Sequence, residues 1–351
     1  DQDFILDLLN RFSSKADGGC FFAALKIVSF VIGSCTSKLE PYLSQWAIDS
    51  LAGANRQSSS KMENSWKLIW EIFCLSPEAL LGFFSSSVVE DLLTRSENGE
   101  NAKKMAVEWI GTMIVHENSF IASRFPLLWA AWRTKFGERS HSIRTICISK
   151  LACLANNQPE SYFDQIFPFL APIAEVDGDE KLKILLLQQL YKINSPSLAA
   201  LSLVFCLTRN AYHCKSPLFS QECFSCILKH FLNSKVDQKF IANHVFSLLY
   251  TSNTFFYTEV FQFIENSLLT ARDGELFWTI LTSWLDEATS LDAFDHFLRH
   301  KQSMMTLGEA IYRISTTNYS EAHLQSILGK LSAHYEGKFK GINFVSCLHF
   351  L

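Results

Sequence analysis

Proline spacing is the strongest constraint on this chain. Pro41, Pro77, Pro126, Pro159 and Pro196 each stand where an apolar pattern of helical period begins, at separations of 36, 49, 33 and 37 residues. Proline suits the first turn of a helix, where its missing N–H is not needed. Almost no run alternates with period two, and only 14 Gly and 8 Pro punctuate 351 residues. Together these features predict an all-α chain built from successive helix pairs.

The clearest pair spans residues 125–154, FPLLWAAWRTKFGERSHSIRTICISKLACL. Leu128, Trp132 and Phe136 recur every four residues and share one helix face. Gly137 is expected to end that helix in a left-handed backbone conformation, and Ser140 to cap the next by accepting a bond from an orphan N–H. Ile143, Cys147, Leu151 and Leu154 form a second apolar stripe. Neither helix can bury its stripe alone, so the pair requires neighbours like itself. The spacing is near the roughly 40 to 47 residues of HEAT or armadillo repeats, and the fold class expected is an all-α, HEAT/armadillo-like solenoid. The 34-residue tetratricopeptide repeat lies within the same range of spacing, but its Trp-Leu-Gly-Tyr pattern is not visible.

Two regions are expected: 1–215 as short helix pairs, and 216–351 as continuing repeats with longer, less regular helices. Polar stretches at 53–62 and 94–101 read as loops. An acidic turn, Asp177-Gly178-Asp179-Glu180, precedes a Leu-rich helix over 181–193.

The balance of 31 basic against 35 acidic residues leaves a formal charge of −4, without a Lys/Arg run dense enough for a phosphate-binding arm, so direct nucleic-acid binding is not expected. Charged residues make up 19% of the chain, below the roughly 25% of typical domains, which leaves an adhesive surface. No apolar run reaches the roughly 20 residues needed to span a bilayer. The 10 Cys fall mostly on apolar stripes, as Cys74 and Cys147 do, and fit a reducing compartment. The absence of an initiating Met and the end at Leu351 suggest a piece of something longer.

Several residues invite sharper readings. Cys223-x-x-Cys226, with Cys214 before and His230 after, has the residue types of a zinc site, but free Cys on a helix is commonly a core residue. His116-Glu117 lacks the second His of a metalloprotease helix. Asp177, Asp179 and Glu180 could hold a cation, but acids at a helix start also stabilise its dipole. Arg144 is expected to pair with Glu138 or Asp179 between repeats. Trp129 becomes a partner-binding candidate if it is exposed beside a groove. There is no nucleophile elbow, phosphate-cradling loop or dinucleotide fingerprint, so no enzyme, cofactor or small-molecule substrate is expected.

The pair at 125–154 carries, in order, Pro126, Leu128-Trp129, Lys135-Phe136, Glu138 and Ile143-Arg144. That order resembles one family, the precocious-dissociation-of-sisters proteins, HEAT-repeat regulators of cohesin. Upstream, Lys38-Leu39-Glu40-Pro41 with Ser50-Leu51-Ala52-Gly53 resembles the family's KLEP-type helix. Ser76-Pro77 with Leu80-Leu81 and Glu90-Asp91-Leu92-Leu93 resembles its next repeat. Asp179-Glu180-Lys181-Leu182-Lys183 and Leu248-Leu249-Tyr250 continue the series, which runs from Lys38 to Met305. The family's Ala-Pro-Asp-Ala-Pro segment is absent. Its strongly basic helix start here reads His213-Cys214-Lys215-Ser216-Pro217-Leu218-Phe219, where only Lys215 keeps the charge and Glu222 is retained further on.

The resemblance implies a nuclear, chromatin-associated scaffold that binds the kleisin subunit of cohesin, meets other cohesin regulators and modulates sister chromatid cohesion. Partner contacts carry over to Tyr250, Cys223, Glu222 and Lys215. A karyopherin- or clathrin-adaptor-type transport protein binding peptide cargo shares the architecture and is the alternative.

Overall fold

The computed structural model describes residues 40–232 apart from 53–57, 95–98, 158–159, 177 and 212–216, with isolated positions at 7, 240–241, 244–245, 321–322, 325–326 and 329. The chain divides into two compact units, Asp1–Leu170 and Ala171–Leu351. All regular structure among the described residues is helical.

In the first unit, α1 covers 40–51 and α2 covers Ser59–Leu75. Ser58 caps α2, its side chain accepting the Lys61 N–H. The helix stops at Ser76, whose extended backbone is the conformation that a following proline favours. Pro77–Leu80 forms a 3-10 turn leading into α3 (Leu81–Phe84), and α4 follows at Ser87–Thr94. Then come α5 (Gly99–His116), α6 (Asn118–Arg124) and α7 (Pro126–Arg133), with Pro126 in its first turn as expected. A second 3-10 turn, Thr134–Gly137, leads to α8 (His141–Ser149) and α9 (Leu151–Asn157). The division between units falls within α10 (Glu160–Glu175).

In the first unit α2 packs against α5, and α5 against α8 and α9, so the second helices of successive pairs lie side by side. The stripe residues Leu128, Trp132 and Phe136, and Ile143, Cys147, Leu151 and Leu154, are all buried. Trp132 crosses α5 where Gly111 leaves room. Its indole N–H donates to the Val107 carbonyl at 2.9 Å, and a Cβ on Gly111 would lie 2.7 Å from the indole.

Several polar side chains join the pairs at one interval. Glu40 accepts from Gly82 N–H, Asn101 donates to Ser59, Ser142 to Glu100, Lys150 to Glu108, and Asn157 to the Val115 carbonyl. Each of these bonds joins residues 42 positions apart. The repeat length is therefore written in the hydrogen bonds, within the HEAT range.

Three local expectations are corrected. Gly137 sits in a 3-10 turn, and Gly99, at φ +73°, is the glycine in the left-handed region among the described residues. Gly137 instead admits Phe169, whose Cδ1 would lie 3.3 Å from an added Cβ. Ser140 stands at the N-cap of α8, but its hydroxyl donates to Glu100 at 2.9 Å and does not cap the helix. Pro77 opens a 3-10 turn, and Pro196 precedes the cap residue Ser197, so the proline intervals only approximate the repeat. Pro159 lies outside the described residues.

In the second unit, α11 (Glu180–Lys192), α12 (Leu198–Asn210) and α13 (Pro217–Leu232) pack on one another. Asp179 caps α11, its carboxylate accepting Leu182 N–H at 3.2 Å. Polar links join these helices as well. Asn210 donates to the Ala174 carbonyl 36 residues back, and Lys229 to the Tyr191 carbonyl 38 residues back. Among the expected longer helices of 216–351, α13 is the one within the described residues, and it covers 16 residues.

Candidate functional site

Helix α13 carries two of the four residues singled out by sequence. Its apolar stripe, Phe219, Cys223, Cys226 and Ile227, is buried against α11 and α12. Cys223 is fully buried, so its thiol faces the core and positions α13 from beneath. Glu222, one residue earlier and about 100° around the helix, is exposed. Lys215 and Tyr250 lie outside the described residues, as does Cys214.

The exposed face of α13 was not singled out by sequence. Leu218, Glu222 and Ser225 are exposed and Lys229 is partly exposed. They follow one another at steps of four, three and four, which keeps them within a narrow stripe. That spacing is present in the chain itself, interleaved with the Cys-x-x-Cys pattern of the buried side. Lys229 lies over the Tyr191 ring, its ammonium 4.6 Å from the centroid. The same ammonium donates to the Tyr191 and Ile193 carbonyls, satisfying the C-terminal end of α11.

The chemistry beneath the stripe is that of a core. Burial pushes the Cys226 thiol up to about 12. Burial also pulls the His230 imidazole down to about 4, against the opposing effect of its bond to the Leu190 carbonyl at 3.2 Å. His230 is thus neutral, and its Nδ1 is buried without a hydrogen-bond partner among the described residues. No group of three metal-ligating side chains is poised for an ion among the described residues.

Other candidates resolve into structure. Trp129 is buried, with its indole N–H donating to Gln165 Oε1 at 2.9 Å, so it forms no exposed groove wall. Arg133 donates to the same oxygen at 2.6 Å. Glu138 receives Lys103 at 3.0 Å and Lys135 at 3.2 Å. Burial would raise its pKa, but the two ammoniums prevail and hold the carboxyl below the usual range. Asp179 is engaged as a helix cap. Among the described residues, no helix is long and apolar enough to cross a membrane.

Paired helices joined side by side, with polar rungs between successive pairs, define an all-α helical-repeat protein of the HEAT type. The family model described as "Sister chromatid cohesion protein PDS5 protein" matches residues 3–203, more than half of the chain. The chain belongs to that family. The match ends before α13 begins.

Among solved structures, the chain is similar to the Pds5 of a Pds5-Scc1 complex, with a TM-score of 0.56 and 15% identity over 90% of this chain. It spans about half of that relative, covering 52% of its length. An engineered protein aligns over 95% of this chain and 98% of its own at 11% identity, with a TM-score of 0.31, too low to carry an argument. No curated protein matches the chain.

Proposed function

We propose that this protein is a non-enzymatic scaffold that binds the kleisin subunit of cohesin and modulates sister chromatid cohesion on chromatin in the nucleus. The observation carrying this reading is the family match over residues 3–203. The similarity in fold to a Pds5 solved with Scc1 supports it. The contact proposed is the region of α13, with Glu222 at the surface, Cys223 setting the helix from below, and Lys215 and Tyr250 completing it. The chain is proposed to divide at 215/216, and all of these contact residues but Lys215 fall in its second region. A helix entering such an array lays one face into a groove between repeats, with a few aromatic anchors carrying most of the energy.

The test is binding of the full chain to labelled peptides tiling the kleisin, beside the Tyr250→Lys variant. The expected result is tight binding by the parent chain and at least about thirtyfold weaker binding by the variant, since removing an interface aromatic costs about 2 kcal/mol or more. Equal binding by both removes Tyr250 from the interface. Recovery of a small GTPase or coat proteins from cells, without kleisin, would move the protein to the transport class.

A further inference from the structure

The stretch that opens α8 holds a residue order that the repeat architecture does not use. Arg139 stands three residues before Ser142, and Ile143 follows directly. Basophilic serine kinases select an Arg-x-x-Ser order of this kind, because carboxylates in their substrate groove hold the guanidinium. Such an acceptor needs an open, extended approach. Gly137, Arg139 and His141 are exposed, and Ser140 and Ser142 are half-buried. The backbone runs extended at Glu138 (φ −63°, ψ 149°) and at Ser140 (φ −66°, ψ 117°). Ser142 itself belongs to the first turn of α8, where N–H groups lack intrahelical partners and the helix opens at little cost.

What the Ser142 hydroxyl touches decides what a phosphate there does. It donates to Glu100 Oε1 at 3.3 Å, and the Ser140 hydroxyl donates to the same oxygen at 2.9 Å. Lys103 and Lys135 are held by Glu138, and Lys150 by Glu108, so among the described residues no ion pair neutralises Glu100. A phosphoserine carries about two negative charges at neutral pH. On Ser142 it removes the donor hydrogen and sets those charges against a carboxylate, turning an attraction into a repulsion. The positive end of the α8 dipole favours the same phosphate. The phosphate therefore stays with α8, and Glu100 is the group that moves. Glu100 lies in the first turn of α5, whose next residue, Asn101, donates to Ser59 of α2 at 2.7 Å. The modification thus cuts the link from α5 to α8 at this end and spares the link from α5 to α2.

We propose that Ser142 is a phosphoacceptor for a basophilic serine kinase, and that its phosphate releases the first turn of α5 from α8. In the transfer the Ser142 oxygen attacks the γ-phosphorus of ATP. The new O–P bond forms as the bond to the bridging oxygen breaks, ADP leaves, and the hydroxyl proton passes to the kinase's catalytic carboxylate. The inference is independent of the partner proposed above.

The experiment treats the folded full chain with ATP and a purified kinase selective for Arg three residues before the acceptor, and locates phosphate by mass spectrometry of fragments. The same residue order ends at Ser14, Ser59 and Thr316, so each fragment is scored separately. Ser142 is expected to take up phosphate, and Arg139→Gln to slow that uptake about tenfold, the scale of a lost charge-assisted contact. Hydrogen exchange then reads the amides of Lys103–Ala106, whose helical bonds go to the first-turn carbonyls of α5. Phosphorylation should speed their exchange about fivefold or more, as local opening becomes easier. In Glu100→Gln a neutral amide faces the phosphate, and the acceleration should vanish.

A folded chain that takes up no phosphate at Ser142, while a synthetic peptide containing Arg139–Ile143 is accepted by the same kinase, overturns the site. Refusal of the peptide overturns it as well. Uptake at Ser142 with unchanged exchange in α5, or with equal acceleration in Glu100→Gln, overturns the release.

Discussion

Glu40 Oε1 accepts the backbone N–H of Gly82 at 2.7 Å and the hydroxyl of Ser44 at 2.9 Å, joining the first helix of one pair to the turn that opens the next. The acid of the KLEP-type motif thus satisfies a donor at the start of α3, 42 residues away. Glu40→Ala should lower unfolding stability by about 1–3 kcal/mol, since hydrogen bonds to charged groups are worth more than neutral ones. Glu40→Gln, which keeps an acceptor, should cost less. Urea titration followed by circular dichroism compares the two; equal losses would show that charge, and not the acceptor, sustains the contact.

Gly111 is the keyhole through which Trp132 reaches Val107. An added methyl would meet the Trp132 ring at 2.7 Å and the Lys150 side chain at 2.9 Å. Gly111→Ala gains helix propensity, about 1 kcal/mol in an unconstrained helix, but the clash displaces a buried indole and its hydrogen bond. The net expectation is destabilisation of about 1–3 kcal/mol with altered Trp fluorescence. A stabilised variant with unchanged fluorescence would show that α5 and α7 part at no cost.

His230 should contribute a pH dependence in the second unit. Burial lowers its folded pKa to about 4 from an ordinary 6.5, so the unfolded chain binds the proton more readily over that interval. Its contribution is complete above about 6.5 and is lost as the pH falls towards 4. His230→Gln, which does not titrate, should flatten that part of the stability profile. An unchanged slope between those values would assign the dependence to other groups.

Glu138 acts in the first unit and at lower pH. Its carboxyl lies below the ordinary carboxylate range in the folded chain because two lysines face it. The stabilisation is present above the unfolded carboxylate value and disappears as pH falls through the lower folded value. Glu138→Gln should cost stability at neutral pH by leaving Lys103 and Lys135 without their anion, and should make acid unfolding less steep. Chemical denaturation at neutral and acidic pH would show the gap between variant and parent narrowing with acid; a constant gap would rule out ionisation as the cause.

The helical architecture could be read from the chain because the apolar stripes are local. Leu128, Trp132 and Phe136 record their burial in their spacing, as do Ile143, Cys147, Leu151 and Leu154. What could not be read depended on residues a full repeat away. Ser140 looks like a helix cap until Glu100 takes its hydroxyl, and Gly137 looks like a left-handed stop until Phe169 fills the space beside it. The prolines overstate the irregularity of the array because they occupy different positions relative to their helices, whereas five rungs of the first unit share the interval of 42. On α13, Glu222 and Cys223 are neighbours in sequence and lie on different sides of the helix, so a carried-over contact splits into a surface acid and a core thiol.

The interval of 42 shared by the five rungs also sets which changes the chain can absorb. A substitution at one rung weakens one bond, but a residue gained or lost inside a helix would put every later partner on that helix out of step. A change of length is therefore better borne by the connecting loops than by the helices. A fold held by phase in this way depends on the count between contacts more than on their chemical identity.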